Sequence, residues 1–141
     1  MKVKRIDKSI QLPKYATNGS VGLDLFVRKN IVIKPKTMDL IPLNVIIKAP
    51  ENTFIGILPR SSTFKKTGLI LANSLGVIDR DYCGPDDEIC AIVFNTRNYP
   101  VIINKGNRFF QLVVFNCETP EIEEIDIIEN KTRGGFGSTG N

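Results

Sequence analysis

Four polar islands interrupt an otherwise apolar, strand-like pattern, and each holds side chains capable of chemistry. The first is Asp24 within VGLDLF, a carboxylate inside an apolar strand; taken alone, a strand Asp simply faces solvent. The second is PRSS (59–62), where Arg60 stands beside the hydroxyls of Ser61 and Ser62 at the start of a possible helical turn. An Arg next to unpaired helix N–H groups attracts an anion. A plain turn capped by Ser61 or Ser62 explains the same residues. The third is NSLGVIDRDYCG (73–84). Here Gly76 permits an unusual backbone and a close ligand approach. In an extended chain Asp79 and Asp81 point the same way with Arg80 opposed, and Tyr82 offers a flat face to a base or sugar. An acidic loop after a buried strand is the plainer reading. The fourth is RGGFGSTG (133–140), whose glycine N–H groups can wrap phosphate, with Arg133 for charge and Ser138 and Thr139 for hydroxyls. Phe136 stands among glycines with no apolar neighbour, so it should find a stacking partner. No GK[ST] follows, so this is not a Walker loop.

The rest of the composition narrows the chemistry. The chain has 141 residues and no histidine. That excludes His-based triads, His metal ligands and an imidazole base, and leaves proton transfer near neutral pH to a carboxylate, Lys, Tyr or Cys. Cys83, Cys90 and Cys117 form no CxxC pair and read as free thiols, not as a zinc site or disulfide frame. A spanning helix needs about 20 apolar residues; the longest uncharged stretch, 67–78, contains Thr, Asn, Ser and Gly. With no signal segment either, the expected protein is intracellular and cytoplasmic, or nuclear if the source is viral or eukaryotic. Net charge is +4, with five basic residues in 1–14 and six acidic ones in 118–130. This reads mainly as a mixed solvated surface, with a modest bias toward anions.

The islands need a scaffold, and the segments between them supply a β one. LDLFV (23–27), IVI (31–33), LIPLNVII (40–47), TFIGIL (53–58), ICAIVF (89–94), VII (101–103), FFQLVVF (109–115) and IEEIDII (122–128) are short, rich in Val, Ile and Phe, and mostly bounded by Pro, Gly or Asn. Glu51-Asn52, Arg97-Asn98 and Lys105-Gly106-Asn107 are turn chemistry. One helical turn, 61–66, is the only helix candidate. The expectation is an all-β jelly-roll, sandwich or barrel domain over 1–130, with 131–141 as a Gly-rich tail that stays mobile unless something orders it.

Taken in order, the islands resemble the five motifs of the trimeric dUTP pyrophosphatase (dUTPase) family. VGLDL, PRSS and NSLGVIDRDYCG match the first three, GNRFFQLVV (106–114) the fourth and RGGFGSTG the fifth. The resemblance implies a distorted jelly-roll homotrimer that hydrolyses dUTP to dUMP and pyrophosphate with Mg²⁺. Such an enzyme keeps uracil out of DNA and supplies dUMP for thymidylate synthesis. Its sites lie between subunits, with the C-terminal motif as a lid. By position, Asp79 corresponds to the carboxylate that orients and deprotonates the attacking water. Tyr82 corresponds to the residue packed under the deoxyribose. Asn73 and the backbone of Gly76, Val77 and Ile78 correspond to the uracil-reading hairpin, with a contact at Cys90. Arg60, Ser61, Ser62 and Gln111 match phosphate contacts, and Asp24 a carboxylate that meets Mg²⁺ through water. Arg133 matches a γ-phosphate contact and Phe136 the aromatic over uracil, flanked by Gly137 and Ser138.

Three positions depart from the family pattern: Cys83 stands where Arg is common, Pro85-Asp86-Asp87 look like three extra residues, and Asn107 replaces a common Asp. The alternatives weighed are a bifunctional dCTP deaminase–dUTPase, a non-catalytic dUTP-binding regulatory trimer, and a nucleic-acid-binding β domain. Asp79-x-x-Tyr82 together with RGGFGSTG disfavours the first, and intact Asp79 and Arg60 the second. Scattered basic residues and 8% aromatics disfavour the third. No membrane contact and no direct nucleic-acid binding are expected.

Overall fold

In the computed structural model, residues 1–132 and 134 are described, and they form eleven strands and one short helix. The order is β1 (Lys2–Arg5), β2 (Leu23–Leu25), β3 (Ile31–Ile33), β4 (Met38–Pro42), β5 (Val45–Lys48), β6 (Thr53–Pro59), α1 (Thr63–Thr67), β7 (Leu69–Leu71), β8 (Gly76–Ile78), β9 (Cys90–Asn95), β10 (Val101–Ile103) and β11 (Phe110–Asn116). The all-β expectation holds. Every pairing is antiparallel: a four-stranded sheet β2-β11-β6-β8, a three-stranded sheet β4-β9-β7, and the ribbons β1-β5 and β10-β3.

Alternation explains how one core serves these sheets. Along β9 the even-numbered side chains face out while Ala91, Val93 and Asn95 are buried. Leu25, Ile33, Ile47, Ile57, Ile103 and Leu112 are among the buried residues of a single apolar cluster. Burying each such side chain contributes about 1.5–3 kcal/mol, which is the main term holding the sheets together. Asn44, at φ +65, breaks the apolar run 40–47 into β4 and β5. Its buried amide then accepts from the Asp7 N–H at 2.7 Å and donates to the Asp7 carbonyl at 3.1 Å. Asn52 and Gly106 carry positive φ at two of the turns read from the sequence.

Three expectations are corrected. The helix begins at Thr63, not at Ser61, and its N-cap Ser62 makes no side-chain capping hydrogen bond. Ser62 is itself helical there (φ −89°, ψ −7°), so its hydroxyl is not aimed back at the first turn as a β-region cap would be. The segment IEEIDII (122–128) forms no strand; Ile122 is 99% exposed. Alternation marks a segment able to pair, but a strand also needs a neighbour, and among the described residues none runs beside it. Finally, Asp79 to Asp81 is a turn, with the Tyr82 N–H on the Asp79 carbonyl at 3.2 Å and the Cys83 N–H on the Asp81 carbonyl at 2.8 Å. The two aspartates therefore do not share one face of an extended chain.

Candidate active site

The site residues fall into two groups, and the register of β6 sets the distance between them. The first group assembles where β2, β11 and β6 lie side by side. Asp24 stands opposite Gln111, and Gln111 stands opposite Leu58. The chain leaves β6 through Pro59 and turns at Arg60, whose N–H is held by the Phe109 carbonyl at 2.9 Å. That turn aims the guanidinium back across the sheet. Its Nε lies 2.9 Å from Asp24 Oδ1, and its Nη1 donates to the Arg108 carbonyl at 3.0 Å. Arg108 Nη1 meets the other Asp24 oxygen at 3.3 Å.

One carboxylate thus orients two guanidiniums and balances only one of them. The Asp24 side chain is 17% exposed while those of Arg60 and Arg108 are 34% and 49% exposed, so the excess positive charge faces solvent. Planar guanidiniums with N–H donors left over suit phosphate oxygens. Gln111 Nε2 donates to the Pro59 carbonyl at 3.1 Å, beside them. Gly22 makes room for this amide: a Cβ there would lie 2.1 Å from Gln111 Oε1. Exposed Ser61 and half-buried Ser62 follow Arg60 directly. Arg108 and Gly22 were missed in the sequence reading. The signal was present, since both lie inside motifs already quoted, GNRFFQLVV and VGLDL.

The second group is the excursion from β7 to β9. Asn73 sits in the turn before β8, and Ser74 carries a positive φ of 61°. Gly76 does not, which corrects the reading of it as a site of unusual backbone. It is buried opposite Ile57, where a Cβ would come within 3.1 Å of the Ile57 Cβ, closer than ordinary contact, so glycine suits the close strand approach. Val77 and Ile78 complete β8, and Asp79 follows, exposed. Asp79 borders a cleft of about 210 Å³ with Asn52, Phe54, Arg80 and Cys117.

Tyr82, 42% exposed, directs its hydroxyl to the Glu88 carbonyl at 3.5 Å. Partial burial and the nearby Asp87, Cys90 and Glu88 push its phenol pKa up. Burial first, then Glu88, raises the Cys90 thiol as well. Both stay protonated at neutral pH. Cys83, Cys90 and Cys117 are free, as expected. The return arm is pinned by Glu88, which takes Arg28 Nε on both oxygens at 2.8 and 2.9 Å and the Asn44 N–H at 2.9 Å. This anchor was not legible in the sequence, because Arg28 is 60 positions away.

The two groups do not meet in one chain. Ile78 pairs with Ile55 and Phe110 with Pro59, so Asp79 lies level with residue 54 and Arg60 beyond residue 59. Six strand residues at about 3.3 Å each separate them by roughly 20 Å. Arg133, Phe136, Gly137 and Ser138 lie outside the described residues.

A family model described as dUTPase matches residues 8–140. The chain belongs to the dUTPase family. It is 41% identical over 145 residues to the deoxyuridine 5'-triphosphate nucleotidohydrolase of Finegoldia magna, covering 99% of each chain. It is 39% identical to that of Rickettsia prowazekii, covering 99% of this chain and 96% of the other. Among solved structures, the dUTPase of Streptococcus mutans superposes with a TM-score of 0.78 at 29% identity, over 86% of this chain and 99% of the other. The dUTPase of Staphylococcus bacteriophage 80alpha, bound to dUpNHpp, gives 0.83 over 99% and 97% at 24% identity. The dUTPase of phage phi11, in which a structural Mg(II) ion is coordinated, gives 0.80 at 22% identity, over 92% and 98%. The last two likenesses concern the dUTPase fold alone. No helix among the described residues is long and apolar enough to cross a membrane.

Proposed function

We propose that this chain hydrolyses dUTP to dUMP and pyrophosphate. Water attacks the α-phosphorus, a new P–O bond forms, and the bond to the β-phosphate bridging oxygen breaks. The observation that carries the reading is the Asp24–Arg60–Arg108 cluster beside Gln111, an excess-positive surface suited to a polyphosphate. Such a displacement needs orientation and charge neutralisation more than covalent chemistry, so the protein supplies chiefly arginine and hydroxyl donors. Arg60, Ser61, Ser62 and Gln111 hold phosphate oxygens. Asp79 orients the water and takes its proton. Tyr82 packs under the deoxyribose and excludes a 2′-OH. Asn73, the backbone of Gly76 to Ile78 and the start of β9 at Cys90 read uracil, and a tight hairpin rejects the 5-methyl of thymine by clash. Arg133, Phe136, Gly137 and Ser138 cover the bound nucleotide.

The same geometry supports sites shared between copies, as in the homotrimer that the family resemblance implies. Asp79 and Arg60 cannot act on one dUTP when about 20 Å of strand lies between them, so a second copy brings its Asp79 hairpin to the first copy's Arg60 cluster. Mg²⁺ fits as a partner of the substrate. No cluster of three or more Cys, Asp or Glu able to cage a metal occurs among the described residues. Asp24 has both oxygens on arginines but keeps lone pairs for a water, as an outer-sphere contact needs. When bound, the ion neutralises charge on the phosphates. Release of pyrophosphate from dUTP, dTTP, dCTP and UTP, with Mg²⁺ and with chelator, tests the proposal. Rapid turnover of dUTP alone is expected; equal rates on UTP would overturn the role of Tyr82, and ammonia release from dCTP would indicate deamination.

A further inference from the structure

The segment that departs most from the family pattern, Cys83 to Asp87, packs on a surface that the proposed reaction does not use. On the ribbon β1-β5, Lys2 stands directly opposite Lys48 and Lys4 opposite Ile46. Partners across a ladder share a face and residues two apart share it too, so Lys2, Lys4 and Lys48 project from one side. Val3 and Ile47 take the other side, toward the core. Like charges directly opposed destabilise a ladder, and none of these lysines forms a salt bridge among the described residues. Folding therefore gains no ion pair from placing three ammonium groups there.

The inserted loop closes over this face. Lys4 Nζ donates to the Pro85 carbonyl at 3.2 Å, and Ile46, though on the outer side, is only 4% exposed. Between loop and ribbon lies a cleft of about 230 Å³ lined by Lys2, Lys4, Lys48, Cys83 and Pro85 over an Ile46 floor. Among the described residues no acidic side chain lines the cleft, and Asp87 Oδ2 accepts the Gly84 N–H at 2.6 Å. Lys4 spends a donor on a neutral carbonyl and keeps its charge, so the cleft holds three positive charges.

We infer that this cleft is a second anion site, separate from the Arg60 cluster, and that it takes a polyphosphate: inorganic pyrophosphate or the phosphate tail of a nucleotide. A singly charged ligand would leave two ammonium groups unbalanced, whereas a chain of phosphates spreads several charges over the spacing of three strand positions. The three ammonium groups and the small volume favour a short chain of phosphates over a protein segment.

Cys83 reports occupancy of the cleft without reference to turnover. In the full chain, without Mg²⁺, its alkylation by neutral iodoacetamide is followed by peptide mass spectrometry, with pyrophosphate or ATP as the probe. At a probe concentration about ten times the dissociation constant, the Cys83 rate is expected to fall roughly tenfold. Protection by pyrophosphate alone assigns an inorganic ligand, and protection by both assigns a phosphate tail. Lys2→Gln with Lys48→Gln, both exposed positions, should abolish protection, and Arg60→Gln should leave it intact. Absence of protection by either probe, protection that survives the double lysine variant, or protection lost in Arg60→Gln would overturn the inference. So would a Cys83 that is inert in the folded protein before any probe is added, because protein would then already fill the cleft.

Discussion

Asp79 and Arg60 lie at opposite ends of β6, one level with Phe54 and the other just past Pro59. On the proposed function one nucleotide needs both, and about 20 Å of strand lies between them. The separation yields a complementation test of whether activity belongs to the assembly. Asp79→Asn and Arg60→Ala should each lower turnover by about 10²–10⁴-fold alone. Co-refolded in equal amounts, they should recover about a quarter of wild-type activity, because one site in four then pairs an intact Asp79 with an intact Arg60 from another copy. A mixture as inactive as its components would show that each site is built from one chain.

Gly22 controls Gln111 by leaving space. In Gly22→Ala the new methyl would lie 2.1 Å from Gln111 Oε1, so the amide must swing off the Pro59 carbonyl. Misplacing this proposed phosphate contact should lower kcat/KM by about 10–100-fold, with little change in stability, because the atom that must give is the far end of a flexible side chain. Steady-state kinetics beside those of Gln111→Ala checks this: the two variants should match. Wild-type kinetics in Gly22→Ala would mean that Gln111 needs no fixed position.

Glu88 holds the return arm of the hairpin through Arg28 and the Asn44 N–H. Glu88→Gln should weaken these charge-assisted bonds without changing shape. With Arg28 about a third exposed, solvent screening keeps the expected loss to about 1–2 kcal/mol in chemical denaturation. Loosening the arm should raise KM for dUTP more than it lowers kcat.

Two pH responses follow from the shifted groups. Lys105 and Ser9 hold the Asp7 carboxyl well below its usual 3.8. A depressed carboxylate contributes stability above the unfolded value and loses it as pH falls toward the folded one. Acid unfolding should therefore steepen below about pH 4, and Asp7→Asn should flatten it. At the alkaline end, burial raises Cys90 above 9.0, so the unfolded chain ionises first and stability should decline as pH rises past that value. Cys90→Ser should remove that decline. With no histidine, and with Tyr82 and Cys90 both raised, none of these groups should inflect the pH–rate profile between about 7 and 9.

The β class is legible in the sequence, and so are the motifs from which most members of the two proposed site groups come. These features are local: alternation writes the facing of a strand into adjacent residues, and the motifs keep Asp79 with Tyr82 and Arg60 with Ser61. The sequence also marked the turns at Asn52 and Gly106, where backbone preference is a property of one residue. Which distant groups meet depends instead on strand pairing. Asp24 clamps Arg108 across 84 positions because β2 and β11 pair in one particular register. Gly76 proved to serve contact with Ile57, and 122–128, strand-like in pattern, lacks a partner. The division between Asp79 and Arg60 was equally hidden. A side chain's facing depends on its own strand, but its distance from another site depends on how long that strand is and on what pairs with each end.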